Sequence, residues 1–133
     1  MSQFRIKVKG IVRNGDQYLI IKKWYDDNIN EPYKWEFIDA KVEFGNTPEN
    51  TVVETINEMT GIHVDIERIL YTWTYQIGEV QYLGLTYMCI ASDDTVVMSE
   101  ELHECKWVQF DEFAEYIDND MVLDDIRKAL KEN

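Results

Sequence analysis

The sequence predicts a single α+β domain, a mixed sheet covered by helices. Three observations carry that expectation. Strand-like segments come in pairs around short turns containing glycine, one strongly marked helix separates the first pair from the second, and two helical stretches close the chain. The 133 residues show no internal repeat, no low-complexity tract and no Pro/Gly/Ser-rich linker. Residues 1–133 therefore read as one domain, long enough to bury a sizeable core.

Residues 4–9 (FRIKVK) alternate apolar and basic side chains, the period of a half-buried strand. Asn14-Gly15 supplies a hairpin turn, because both residues tolerate positive φ, and QYLIIKKW (17–24) returns as the second strand. The polar stretch 25–34, with Pro32, reads as a loop, and residues 35–45 (WEFIDAKVEFG) as short extended pieces around a bend. A helix then begins with a reason for each residue: Thr47 caps, Pro48 suits the first helical position and Glu49 complements the macrodipole. It runs through about Met59, and Gly61 stops it. Residues 62–76 and 79–92 are β-rich and joined by a hairpin at Ile77-Gly78. Residues 104–110 form one more strand, and 111–117 and 121–133 are helices.

Hydrophobic residues make up 45% of the chain and charged residues 29%, ordinary values for a soluble globular protein. No apolar run is long enough to span a bilayer, and MSQFRIKVKG lacks the layout of a secretion signal, so the expected home is the cytoplasm. Cys89 and Cys105 have no CxxC spacing and lie in apolar stretches, as buried free thiols do. The net charge of −13 argues against polymeric nucleic acid as a partner, since phosphates need clustered Lys and Arg. The basic residues are unevenly placed. Arg5, Lys7, Lys9, Arg13, Lys22 and Lys23 fall in the first 24 residues beside one acid, Asp16. They form either a solvated strand face or an electropositive wall for a phosphorylated ligand.

Residues 35–62, WEFIDAKVEFGNTPENTVVETINEMTGI, resemble the Nudix box of MutT-like pyrophosphohydrolases. In that register Trp35, Phe37, Ile56, Glu58, Gly61 and Ile62 match the pattern. Ala40 stands at the opening glycine, Asn46 at the first glutamate, Glu54 at the arginine, Thr55 at the next glutamate and Met59 at the last, with Ile38-Asp39 in the Pro-Gly position. Thr47-Pro48-Glu49 and Thr60-Gly61 anchor both ends, which leaves no room for a register slip. The hairpin IVRNGDQYLIIKKW and the segment EELHECKWVQFDEF also look like landmarks of the family, so the resemblance covers nearly the whole chain. It implies the Nudix fold, a mixed β-sheet sandwiched between helices.

The resemblance also implies a chemistry. Relatives cleave a nucleoside diphosphate linked to another group, using Mg²⁺ or Mn²⁺ held by glutamates on the box helix, and Mg²⁺ prefers oxygen ligands in near-octahedral array. At about 100° per residue, with Glu54 at zero, Glu58 falls near 40°, Thr55 near 100°, Met59 near 140° and Ile56 near 200°. The apolar arc centres near Ile56, and the family's metal face lies beside it over Glu58, Thr55 and Met59. One carboxylate of that set remains. Glu58 and Glu54 are the candidate catalytic and metal-binding residues, with Glu101 (or Glu100) in the place of a distal glutamate and Glu43 nearby. The alternative is two solvated glutamates on an acidic helix. Met59 is expected to extend the core. Asp39, in the bend, either offers a carboxylate to the site or bonds its own backbone.

Lys23 and Asn119 are the candidate substrate-binding residues; Asn119 sits where purine-reading MutT-like members place an Asn, and it equally suits a helix cap beside Asp118 and Asp120. In YTWTYQ (71–76) Tyr71, Trp73 and Tyr75 share one strand face, more as sheet core than as a binding platform. Two functions follow. One is a metal-dependent Nudix hydrolase of weak, altered or absent activity; the other is a catalytically inactive Nudix domain that binds a nucleotide-like ligand or regulates. A purely structural protein–protein role is a third. The implied partners are a small nucleotide-like ligand and, as is frequent among similar proteins, a second copy in a homodimer, with no membrane; the implied cofactor is Mg or Mn if the protein is active, and none otherwise.

Overall fold

The computed structural model describes residues 3–24 and 34–131, and side chains through residue 130. The polar loop expected at 25–34 lies, apart from its last residue, outside the described residues. In chain order the elements are β1 (Gln3–Asn14), β2 (Gln17–Lys23), β3 (Ile38–Lys41), α1 (Pro48–Thr60), β4 (Val64–Ile77), β5 (Val80–Ala91), β6 (Leu102–Gln109), a 3₁₀ turn (Phe110–Glu112), α2 (Phe113–Tyr116) and α3 (Asp120–Lys131). The strands make one sheet in the order β4-β5-β1-β2-β6, with β3 paired to β1. β1 runs parallel to β5 and antiparallel to β2 and β3, so the sheet is mixed, as expected.

Both hairpins turn one residue later than the sequence suggested. Asn14 pairs with Gln17 and Ile77 with Val80, which leaves Gly15-Asp16 and Gly78-Glu79 in the turns. Gly15 (φ 63) and Gly78 (φ 58) carry the positive φ, so Asn14 and Ile77 stay in the ladder.

α1 forms as its sequence dictates. The Thr47 hydroxyl accepts from the Asn50 N–H at 3.1 Å, Pro48 opens the helix, and Gly61 closes it at φ 72 with its N–H on the Asn57 carbonyl. Val52, Ile56 and Met59 pack with Val8, Val12, Leu85 and Cys89 on one face of the sheet. Gly10 permits the close approach, since a Cβ there would lie 2.8 Å from Ile56 Cδ1 and 2.9 Å from Val52 Cγ2. Ile56 is fully buried, worth ~2 kcal/mol by apolar burial. On the other face, Ile11, Tyr18, Ile20, Phe37 and Met88 pack with Phe113, Leu123 and Ile126 from α2 and α3. The sheet is thus sandwiched between helices. In β1, Val8 and Gly10 face α1, while Lys7, Lys9 and Ile11 lie on the face that carries α3.

Cys89 is buried and Cys105 half-buried, both as free thiols. Among the described residues no helix is long and apolar enough to cross a membrane.

Candidate functional site

The resemblance assigns the chemistry to the outer face of α1. Glu54 and Glu58 are exposed one turn apart, Thr55 is half-buried, and Met59 is 6% exposed inside the core. Glu49, at the start of the helix, accepts a hydrogen bond from the Tyr87 hydroxyl at 3.2 Å and ties α1 to β5. The chain between β5 and β6 lies along the helix end, where Ser99 and Val97 donate to the Met59 and Thr60 carbonyls at 2.9 and 2.8 Å. Glu100 and Glu101 follow on that segment and are exposed. Among the described residues no group of three or more His, Cys, Asp and Glu side chains converges in a way that could hold a metal ion. Glu54, Glu58 and Glu101 are therefore not brought together as a ligand set.

The donor chemistry agrees with the geometry. Mg²⁺ needs several oxygen ligands in near-octahedral array. This face presents two carboxylates, one hydroxyl and a thioether that is packed away from solvent. The residues present do not fit the divalent ion that the fold family uses.

A different cluster forms on the other face of the sheet. β3 pairs with β1 so that Asp39 lies opposite Lys9 and Ala40 opposite Val8. Asp39 does neither thing foreseen for it: its Oδ1 takes Lys23 Nζ at 3.4 Å and its Oδ2 takes Lys7 Nζ at 3.8 Å. Lys23 also reaches Glu36 Oε1 at 3.3 Å. Burial pulls the Lys23 ammonium down, but Asp39 and Glu36 outweigh it and hold its pKa above the ordinary lysine value. Burial, then the nearby Asp39 charge, raises Glu36 against the pull of Lys23. Lys9 behaves oppositely. Burial lowers its pKa, Asp39 only partly restores it, and Lys7 lowers it further.

Two adjoining cavities open beside these charges. One, of about 310 Å³, is lined by Lys7, Lys9, Tyr71, Trp73, Tyr75 and the start of α3, including Asp125. The other, of about 190 Å³, is lined by Lys9, Trp35, Glu36, Phe37 and Asp118. Lys9, Asp39, Asn119 and Val122 belong to both, so the two form one cleft between the sheet and the N-terminal end of α3. Its combined size suits a small molecule.

The aromatic stripe of β4 walls this cleft; Tyr71 also packs against the core, as expected, while Trp73 and Tyr75 belong to the cleft wall rather than the core. Tyr71 and Trp73 are half-buried, and Tyr75 is 38% exposed. Trp73 stacks on Tyr75 at 5.4 Å, and Tyr75 on Tyr82 at 4.7 Å, both 12° from parallel. The indole lies flat on the sheet because its cross-strand partner is Gly84, and its N–H donates to Thr86 Oγ1 at 3.1 Å. Lys9 Nζ sits 5.3 Å from the Trp73 ring centre and Lys7 Nζ 6.0 Å from that of Tyr82.

Of the sequence candidates, Asn119 lies in the cleft and also caps α3, its Oδ1 accepting from Met121 and Val122 N–H at 3.0 and 3.2 Å. Lys23 is spent on Asp39 and Glu36. The six early cations divide. Lys22 pairs with Glu104 at 3.3 Å and Arg13 with Glu67 at 3.6 Å, as a solvated face would, whereas Lys7 and Lys9 enter the cleft. Glu36 and Gly84 escaped the sequence reading. Lys7 and Lys9 were visible as one strand face, but nothing local showed which helix that face would meet.

No family model matches the chain, and no curated protein sequence matches it. The fold matches a MutT protein from Methanosarcina mazei Go1 at TM-score 0.81 and 20% identity, over 99% of this chain and 96% of that one. An Ap4A hydrolase of C. elegans superposes at TM-score 0.76 and 15% identity, over 93% of each chain. A Nudix-family hydrolase from Clostridium perfringens superposes at 0.76 and 12% identity, over 95% of each. The sheet sandwiched between helices is the one those structures share: this chain has the fold of the Nudix/MutT hydrolases.

Proposed function

We propose that the chain is a Nudix-fold module that binds a small nucleotide-like ligand in the cleft between β1, β4 and α3, without the family's metal-assisted hydrolysis. The observation that carries this reading is the split fate of the box helix. Thr47, Pro48, Val52, Ile56 and Gly61 keep its caps and packing, while Met59 is used in the core and Thr55 stands where an acid is needed. Each missing carboxylate removes several kcal/mol of charge stabilisation from a phosphoryl-transfer site, and losing two costs many decades in rate.

Support for a ligand comes from the opposite face, where ammonium groups and flat aromatic rings line one cleft. Rings suit a base by stacking, and ammonium groups suit a phosphate. The experiment is calorimetry with a nucleotide panel in EDTA and in Mg²⁺ or Mn²⁺, alongside product analysis. Binding without product supports the module. Turnover that depends on the metal and disappears in E58Q refutes it.

That last outcome is the second reading, a divergent hydrolase. It has one observation in its favour: Glu54 and Glu58 are both exposed on one face of α1, where a single weakly held ion would touch them. A cytoplasmic location and a homodimer are part of the same proposal.

A further inference from the structure

Asp39 has two carboxylate oxygens, and both are used, by Lys23 and by Lys7. Lys9 is directly opposite Asp39 in the ladder, yet among the described residues no carboxylate lies within ion-pair distance of its ammonium. Asp125 lines the same cavity from α3 and also stays beyond that distance. Lys9 is half-buried, belongs to both cavities, and has the Trp73 ring as its near neighbour. A half-buried ammonium without an ion-pair partner is costly to keep.

A chain of net charge −13 thus places two lysines on the wall of this cleft, while among the described residues no ligand set for a metal ion forms on the helix expected to bring one. We propose that Lys9, with Lys7 beside it, is the group that grips the phosphate of the ligand, so that it is held by ammonium groups on this face of the sheet and without metal. The ring of the same ligand lies along Trp73 and Tyr75. This inference rests on the nucleotide-like ligand proposed above and names the group that grips it. The lowered pKa of Lys9 agrees with an ammonium that lacks a full counter-charge.

Calorimetry of the full chain with nucleoside diphosphates of each base and with inorganic pyrophosphate, in EDTA and in Mg²⁺, tests it. K9M keeps the stem of the side chain and removes the charge; K9R keeps the charge. Equal affinity for a nucleoside diphosphate in both buffers is expected, with a loss of about ten- to a hundredfold in K9M, the size of one charge-assisted hydrogen bond. K9R should recover part of that loss, and thermal melting should show K9M folded. Binding that requires Mg²⁺, or that is unchanged in K9M, overturns the role of Lys9 and leaves the ligand-binding reading intact. Absence of binding by every nucleotide and by pyrophosphate, in both buffers, removes the reading and this inference together.

Discussion

Replacing Gly84 with alanine should expel the Trp73 ring from the cleft wall. A Cβ built at Gly84 meets Trp73 Cε2 at 1.9 Å and both Cδ2 and Cζ2 at 2.2 Å, far inside any tolerable contact. Gly84 is not among the glycines with positive φ, so the backbone itself accepts alanine. The cost is therefore the cost of moving the indole. Its hydrogen bond to Thr86 is worth ~1 kcal/mol, and its stack on Tyr75 is worth ~0.5–1.5 kcal/mol. Re-exposing part of the ring adds about 1 kcal/mol. Against this, alanine restricts the unfolded chain and returns ~0.4–1 kcal/mol. The net expectation for G84A is a destabilisation of about 2 kcal/mol, or a fall in Tm of about 6–10 °C.

The decisive assay is a double-mutant cycle by urea or thermal melting with W73V as the second change. With the indole gone, G84A should change sign and stabilise the protein by about 0.4–1 kcal/mol. An equal loss in both backgrounds would place the strain in the backbone and refute the argument from the ring.

Three further outcomes follow from the same geometry. T47A removes the acceptor for the Asn50 N–H and should cost ~1 kcal/mol of stability in denaturant titration, with the fold unchanged by circular dichroism. M59E, which writes back one acid of the family pattern, should destabilise by at least ~2 kcal/mol in melting experiments, because the site is core and a buried carboxylate has no partner there; a neutral effect would mean that this face is solvated. The folded-state pKa of Lys9 is lowered, chiefly by burial, with Lys7 adding to it and Asp39, Glu36 and Asp125 opposing. Just below the ordinary lysine pKa the unfolded chain then holds more protons than the folded one, so stability rises with pH through that window. Melting wild type and K9M in parallel from neutral to alkaline pH should show wild type gaining on the variant; identical pH curves would remove Lys9 as the cause.

The fold was readable to a large extent, and particular residues show why. Alternation in FRIKVK, the paired β-rich segments and the Thr47–Gly61 helix all express short-range rules, in which side-chain period and local hydrogen bonds choose the conformation. The one local difference is in the hairpins: the sequence places Gly15 and Gly78 second in their turns, whereas the ladder keeps Asn14 and Ile77 paired and each glycine takes the first turn position. The site was legible only in its negative half. Thr55 and Met59 in place of acids were visible in the chain, whereas the cleft needed knowledge of long-range register.

By itself, the sequence determined the box helix: its caps, its length, and the apolar arc that puts Met59 inward and Glu54 and Glu58 outward, because these depend on residues three and four apart. Only the tertiary structure decided what the lysines and rings do. Parallel pairing of β1 with β5 sets Lys7 against Gly84 and Lys9 against Thr86, antiparallel β4 lays Trp73 over that glycine, and β3 delivers Asp39 to Lys7 and Lys23 but not to Lys9. Those neighbours come from strands far apart in the chain, whose mutual register is fixed by packing of the whole sheet between its helices, and no local pattern encodes it.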